Sequence, residues 1–169
     1  RHEAVQTMNT RALEGQRIVV MASDIPWPAN RGGRADVWRR LVAMRSQGAE
    51  VFLVHLFEPS GPQSPTQAHW DFLRSKLDGH FAFPMRRGRW LTIKRLLRSP
   101  WLPWHAATRV PLSSAKQQLV VDIEAFRPTA VWLDGLWFFE LAELVSEQFR
   151  VPLLYRSHNV EHRYLPGQA

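Results

Sequence analysis

Two histidines and a glutamate near the end of the chain are the residues most suggestive of chemistry. The stretch YRSHNVEHRYL, residues 155–165, places His158, Glu161 and His162 in an H-x-x-E-H spacing. On a helix this spacing puts both histidines on one face, where they bind zinc while the glutamate acts on water. The stretch follows an apolar segment predicted to be a strand, and Pro166 leaves little room for a helix. A zinc hydrolase therefore stays open beside two alternatives: polar groups that satisfy a strand end, or a cleft element that contacts sugar or phosphate.

The composition indicates one globular domain and restricts its partners. The chain has 169 residues, of which 45% are apolar and 22% charged, enough for a sizeable core. It has no cysteine, which excludes disulfides and thiolate metal sites. The net charge is +7, with 19 arginines against 3 lysines. Arginine suits phosphate and carboxylate, so an anionic partner and a coding bias toward arginine both stay open as explanations. Without a nucleic-acid-binding motif, we expect no nucleic-acid partner.

Strand-like and helix-like segments alternate along the chain. Short apolar runs, typical of strands buried on both faces, occupy residues 17–23, 49–57, 80–85, 129–135 and 151–157. Helical spacing is found at residues 34–48, with Val42 among the apolar positions and Gly48 as the C-terminal stop. It is also found at residues 66–77, followed by a turn at Asp78-Gly79, at residues 90–98 and 138–149, and from Ser113 or Ser114 to just before Pro128. The alternation predicts an α/β fold with a doubly wound, mainly parallel sheet flanked by helices. Residues 1–16 read as a polar extension in front of it.

Polar clusters follow strands one, four and five of this prediction. They are NRGGR at residues 30–34, Asp134-Gly135, and SHNVEH at residues 157–162. Ligands bind at the carboxyl ends of parallel strands, so we expect the three clusters to meet at one edge. Two glycines before a helix let backbone amides approach an anion, although an ordinary turn is the alternative. Asp134 either caps the following helix or binds a hydroxylated ligand.

Residues 86–104 form a basic segment rich in tryptophan. In a helix, Trp90, Ile93, Leu96 and Leu97 fall on one side, and Lys94, Arg95 and Arg98 fall on the other. Such a helix lies on an anionic membrane surface or packs its apolar side on the sheet.

From residue 17 to residue 165 the chain resembles the N-terminal half of retaining GT-B glycosyltransferases, in the family 4-like group of bacterial mannosyl-, glucosyl- and rhamnosyltransferases. The resemblance rests on the order of IPWPANRGGRADVWRRLVAMRSQGAEVFLV, LLRSPW, AFRPTAVWLDGLWFFELAEL and VPLLYRSHNVEHRYL. It implies a Rossmann-like acceptor-side domain over residues 17–169, one half of a GT-B fold. The donor-binding domain of such enzymes is expected to be absent from this chain.

The resemblance also implies an activity. We expect a hexosyltransferase-type enzyme that moves a sugar from a nucleotide-sugar donor to a glycan or lipid-linked acceptor in cell-envelope or exopolysaccharide synthesis. The isolated half would be inactive, and the reaction would need neither metal nor cofactor. The resemblance places the protein in the cytoplasm. A lipid-linked acceptor would bring it to the inner face of the membrane, and the basic, tryptophan-rich pattern of residues 86–104 is where we expect peripheral contact. The rival hypothesis is a non-catalytic basic α/β module that binds an anionic ligand or partner.

Site residues follow from the positions that match the family. Gly32, Gly33 and Arg34 would bind the donor phosphates, and Asp134 and His158 would be catalytic. The acceptor and sugar cleft would be lined by Asn30, Arg156, Asn159 and Glu161.

Overall fold

A single parallel sheet organises the chain. The computed structural model describes residues 11–62, 64–85, 89–98, 100–101 and 113–157, and the side chains of residues 113–115 are outside this description. Its five strands lie in the order β3-β2-β1-β4-β5. The strands are β1 (Arg17–Ala22), β2 (Glu50–Phe57), β3 (Gly79–Pro84), β4 (Ala130–Asp134) and β5 (Leu153–Arg156). The helices are α1 (Gly32–Ser46), α2 (Gln67–Lys76), α3 (Arg89–Arg98), α4 (Ser113–Phe126) and α5 (Phe139–Phe149), and a 3₁₀ turn covers Leu136–Phe138.

The core has two layers because the strands are buried on both faces. On β1, Val19 and Met21 pack with residues of α4 and α5, whereas Ile18 and Val20 pack with residues of α1 and α2. Adjacent side chains of a strand point to opposite faces, so one apolar run supplies both layers. The predicted α/β fold, a parallel sheet wound on both sides in a Rossmann-like manner, is confirmed.

The strand order creates a switch point at the centre of the sheet. The chain runs outward from β1 to β2 and β3, then returns to place β4 and β5 on the other side of β1. The connection that leaves β1 therefore runs to one side of the sheet and the connection that leaves β4 runs to the other, which opens a crevice between the carboxyl ends of these two strands. In doubly wound sheets this is the position where ligands bind.

Three local predictions differ from the structure. Gly32 and Gly33 begin α1 instead of preceding it, and Gly79 begins β3 opposite Phe52 instead of forming a turn. Val42 is 48% exposed although it was grouped with the apolar side of α1. It follows Leu41 directly, about 100° around the helix, which takes it off the buried stripe. Gly48, predicted to end this helix, has φ +95° and lies two residues after Ser46.

The apolar side of α3 faces solvent. Trp90, Leu96 and Leu97 are exposed, whereas Arg95 is only 6% exposed. The prediction that this side packs on the sheet is thus wrong for these residues. No helix in the described part of the chain is long and apolar enough to cross a membrane.

Candidate functional site

Asp134, from one of the three predicted polar clusters, meets charged residues of other elements at the carboxyl edge of the sheet within the described residues. Asp134, the last residue of β4, lies in register with Ala22, the last residue of β1. On its other side it lies in register with Arg156, the last residue of β5. Asp134 and Arg156 thus lie side by side at this edge, whereas the convergence of all three clusters stays a prediction, because residues 158–162 lie outside the described residues.

Four charged side chains form what we call the arginine–aspartate network. Its members are Asp36 and Arg40 of α1, Asp134 of β4 and Arg156 of β5. Asp134 Oδ1 accepts from Arg156 Nη1 at 3.3 Å and from Arg40 Nη1 at 3.5 Å. Asp36 bridges the same two arginines, with Arg156 Nη1 at 2.8 Å and Arg40 Nη2 at 2.7 Å. Two positive and two negative charges alternate, so the network is neutral as a whole.

The electrostatics of the network follow from this alternation. The hydrogen bond from Arg156, followed by that from Arg40, holds the pKa of Asp36 below its usual value. Burial alone would lower the pKa of Arg156, but its hydrogen bond to Asp36 and the charges of Asp36 and Asp134 outweigh burial and raise it. Asp36 and Arg156 therefore both stay charged at neutral pH.

Asp134 is the buried anchor of the network. Its side chain is 1% exposed, compared with 32% for Arg156 and 43% for Asp36. The 3₁₀ turn that follows starts from Gly135 as N-cap, with φ +88°. The sequence left two alternatives for Asp134, a helix cap or a polar group turned toward a cleft. The geometry adds a third role, because Asp134 holds Arg40 and Arg156 in place.

The glycine pair opens α1 with its amides facing outward. The N-cap residue is Arg31, whose side chain makes no capping hydrogen bond, and the first turn contains no acidic residue. The first amides of a helix have no partner within it and carry the positive end of the helix dipole. A Cβ built on Gly32 or Gly33 meets no atom of the described residues within 4 Å. The first turn is thus open to an approaching anion.

Arg34 does not extend freely toward that opening. Its Nε donates to Asp24 Oδ2 at 2.7 Å and its Nη2 to Asp24 Oδ1 at 3.1 Å, and the Arg34 side chain is 10% exposed. Asp24 also accepts from the amide of Ile25. This bidentate pair ties the loop after β1 to the first turn of α1. Trp27 in the same loop stacks on Phe72 of α2 with ring centroids 4.2 Å apart.

The remaining predicted site residues fall in two groups. Asn30 is exposed in the loop before α1. His158, Asn159, Glu161 and His162 lie outside the described residues, so the geometry of H-x-x-E-H is untested. Among the residues that the structure describes, no group of His, Asp or Glu is arranged to hold a metal ion.

A second polar feature lies deeper in the sheet. His55 of β2 is fully buried, and its ring stacks against Trp70 at 5.8 Å and His80 at 6.3 Å. Nδ1 lies 3.1 Å from the carbonyl oxygen of Leu56, and Nε2 has no hydrogen-bond partner in the part of the chain that the structure describes. Burial lowers the pKa of His55 to about 4, and burial also lowers the pKa of His80. Trp70 and His80 line a cavity of about 340 Å³ beside the edge strand β3.

Asp24, Asp36 and Arg40 were not among the site residues predicted from the sequence. Asp36 and Arg40 are four residues apart, a spacing that brings opposite charges together on a helix and was available as a signal. Nothing in the sequence shows that this helix face turns toward the ends of β4 and β5. Asp24 follows β1 directly, and its pairing with Arg34 needed the course of the intervening loop.

Comparisons with known proteins add little to this description. No protein-family model matches the chain, and no curated protein matches it. Among solved structures, the chain is similar to the C-terminal domain of a hydrogenase from Pyrococcus furiosus, with a TM-score of 0.48 and 14% sequence identity. That likeness covers 84% of this chain and 91% of the hydrogenase domain. A similarity at this level carries no argument about function.

Proposed function

We propose that this domain is the acceptor-binding half of a metal-independent glycosyltransferase that uses a nucleotide-sugar donor. The observation that carries the proposal is that Arg40 and Arg156 meet Asp134 beside the switch point between β1 and β4, and that α1, the helix that carries Arg40, begins with Gly32-Gly33. Amides and guanidinium groups that are fixed in advance stabilise charge that develops on a departing diphosphate.

The glycine pair supports a role in approaching phosphate because the fold does not require it. Neither glycine has a positive φ, and neither would clash if it carried a Cβ. Glycine costs a helix roughly 0.5–1 kcal/mol relative to alanine. A position where glycine is costly and structurally unnecessary favours a backbone that must come close to a ligand.

In this proposal the arginine–aspartate network positions cations beside the crevice. Asp134 of β4 forms ion pairs with both Arg40 and Arg156, and Asp36 of α1 pairs with the same two arginines. Arg156 is partly exposed and its pKa is raised, so its guanidinium stays charged. A phosphate or carboxylate of a ligand can therefore bind this guanidinium while Asp36 remains bound to it. The expected catalytic role of Asp134 then becomes one of positioning, and the predicted role of His158 stays a prediction.

The donor-binding half of the enzyme would be a second Rossmann-like domain that closes over this edge. Nucleotide-sugars are cytoplasmic metabolites, so the proposal places the reaction in the cytoplasm. A lipid-linked acceptor would bring it to the inner face of the membrane, for cell-envelope or exopolysaccharide synthesis.

A transfer assay tests the proposal. Protein that carries this chain together with a donor-binding domain is offered radiolabelled nucleotide-sugars one at a time, with lipid and glycan fractions as acceptors. We expect transfer from at least one donor, and loss of transfer in a folded Gly33→Asp variant, whose carboxylate would repel the diphosphate. Arg39→Gln, on the exposed side of α1, is the matched control. Transfer at the wild-type rate by Gly33→Asp would overturn the glycine assignment.

A non-catalytic module that binds an anionic ligand is the second candidate. It is favoured by the burial of Asp134, whose side chain is 1% exposed and engaged with two arginines. Tight binding of a nucleotide-sugar or phosphorylated ligand without any transfer, under conditions where both halves are present, would select this candidate.

A further inference from the structure

α3 presents a continuous apolar surface to solvent. Trp90 is 77% exposed, Leu97 68% and the adjoining Trp101 82%, and Ile93 and Leu96 are also exposed. Isolated exposed apolar residues are ordinary, but large tryptophan and leucine side chains gathered on one short helix mark an interaction surface. We call these five residues the α3 surface.

Basic residues of α3 contact the rest of the protein, which explains why the apolar side of the helix faces solvent. Arg95 is buried, and its guanidinium lies 5.8 Å from the ring centre of Trp137, in the 3₁₀ turn after Asp134. Arg98 Nη1 lies 2.9 Å from Glu140 Oε1 in the first turn of α5. These contacts attach the polar side of α3 to the protein beside the candidate site. The apolar side is left pointing away from the core.

The charge of the whole chain is concentrated in the stretch that contains this surface. No Asp or Glu occurs between Gly79 and Val121, a stretch that holds eight arginines and lysines. These are Arg86, Arg87, Arg89, Lys94, Arg95, Arg98, Arg109 and Lys116. The rest of the chain has 14 basic and 15 acidic residues, so it is nearly neutral. The net charge of +7 thus arises from the stretch between Gly79 and Val121, which also contains the exposed Trp90 and Trp101.

We propose that the α3 surface docks on an anionic lipid bilayer and holds the domain at the membrane interface. Exposed tryptophan and leucine side chains enter the boundary between headgroups and acyl chains. Arg89 and Lys94 are exposed, unlike Arg95. Each lies one helical turn from Ile93 or Trp90, so they border the apolar side and contact anionic headgroups. The charge complementarity favours a bilayer over a neutral apolar partner or a second copy of this basic chain. Because α3 is attached to the turn that follows Asp134, docking brings the carboxyl edge of the sheet close to the membrane surface. The contact does not depend on the glycosyltransferase proposal.

Vesicle sedimentation with the full chain tests this proposal. One vesicle preparation contains phosphatidylcholine alone, and the other contains equal parts of phosphatidylcholine and anionic phosphatidylglycerol. We expect binding to the mixed vesicles, little binding to the neutral ones, and release as salt screens the headgroup charge. Failure to bind mixed vesicles at low salt would overturn the proposal.

Variants separate the α3 surface from nonspecific attraction. Trp90→Ala/Leu97→Ala should lower the partition coefficient on mixed vesicles by about tenfold or more, since each side chain contributes apolar burial. Leu144→Ala, an exposed leucine on α5, is the matched control and should bind like the wild type. Arg89→Gln/Lys94→Gln should weaken binding by about tenfold, and Arg39→Gln on α1 should have a much smaller effect.

Two results would contradict the assignment of the surface. Equal binding by Trp90→Ala/Leu97→Ala and by the wild type, with unchanged thermal unfolding, would show that charge alone attracts the protein. Concentration-dependent dimerisation that these substitutions abolish, in a protein that ignores both kinds of vesicle, would assign the surface to a second copy.

Discussion

Arg156, at the end of the last strand, donates through Nη1 to Asp36 Oδ2 in the first helix at 2.8 Å, joining residues 120 positions apart. The same guanidinium reaches Asp134 Oδ1 at 3.3 Å. β5 is a four-residue edge strand, and its Leu154 and Tyr155 are exposed. Besides its backbone pairing with β4, the end of this strand is therefore held by ion pairs with Asp36 of α1 and Asp134 of β4.

Asp134 should be the member of the arginine–aspartate network that matters most for stability. Asp134→Ala removes the buried carboxylate between Arg40 and Arg156 and should lower the free energy of unfolding by about 3 kcal/mol. Urea unfolding measures the change. Asp71→Ala is the control, because Asp71 forms an exposed ion pair with Arg74 that is worth about 1 kcal/mol or less. Equal costs for the two substitutions would contradict the anchoring role of Asp134.

The glycine pair should be replaceable without harm to the fold. A Cβ at Gly32 or Gly33 meets no atom of the described residues within 4 Å, so Gly32→Ala and Gly33→Ala should leave stability unchanged or raise it by up to about 1 kcal/mol. If these amides approach phosphate, the same alanines should weaken donor binding. Thermal unfolding and donor affinity, measured on the same variants, separate the two effects. A clear loss of stability would mean that the fold needs these glycines.

Gly79 should behave in the opposite way. A Cβ on Gly79 would lie 2.4 Å from Cδ2 of Phe52, whose ring is buried and packs against Phe126 with centroids 5.4 Å apart. Gly79→Ala should therefore destabilise the domain by about 1–3 kcal/mol through overpacking. Chemical denaturation gives the comparison, with Gly32→Ala as the matched glycine substitution in open space. A neutral Gly79→Ala would show that the Phe52 ring moves aside easily.

His55 should make the domain less stable in mild acid. Burial lowers its folded pKa to about 4 from an ordinary 6.5, so the folded state keeps the imidazole neutral. Above pH 6.5 both states are neutral, and His55 exerts no pH effect. As the pH falls from 6.5 to 4 the unfolded chain takes up a proton that the folded chain refuses, which costs up to about 3 kcal/mol. His80 acts in the same direction, whereas Asp36 matters only near and below its ordinary pKa of 3.8.

Urea titrations at a series of pH values test this dependence. His55→Gln keeps an amide that can donate to the Leu56 carbonyl but does not titrate, so it should flatten most of the decline between pH 6.5 and 4. An unchanged decline in this variant would assign the effect to other groups.

Arg95 should control how firmly α3 is attached. Arg95→Ala removes the contact with Trp137 and should speed amide hydrogen exchange across residues 89–98 without a comparable change in the central strands. Arg39→Ala, at an exposed position of α1, is the control. Unchanged exchange in α3 would mean that Arg98 and Glu140 suffice to hold the helix.

Local patterns in the sequence were enough to predict the alternation of strands and helices. Runs such as RIVVMA and EVFLVHLF are apolar at every position, and only a strand covered on both faces buries them completely. The placement of Asp134 and Arg156 at one edge followed as well, because parallel strands end on the same side. These conclusions depend on neighbouring residues and on the geometry of parallel pairing, both of which a single sequence contains.

The partners of the charged groups were decided only by the tertiary structure. Arg34 appeared free to meet phosphate until the loop after β1 brought Asp24 to its guanidinium. Asp36 meets Arg156 because side chains in the N-terminal half of α1 reach the ends of β4 and β5, a relation that no spacing along the chain encodes. Periodicity likewise divided α3 into an apolar and a basic side, but only the contacts of Arg95 and Arg98 determined which side faces the protein. Hydrophobic patterns are local and nearly additive, whereas charge pairing depends on which distant surfaces meet, and that is decided when the sheet assembles.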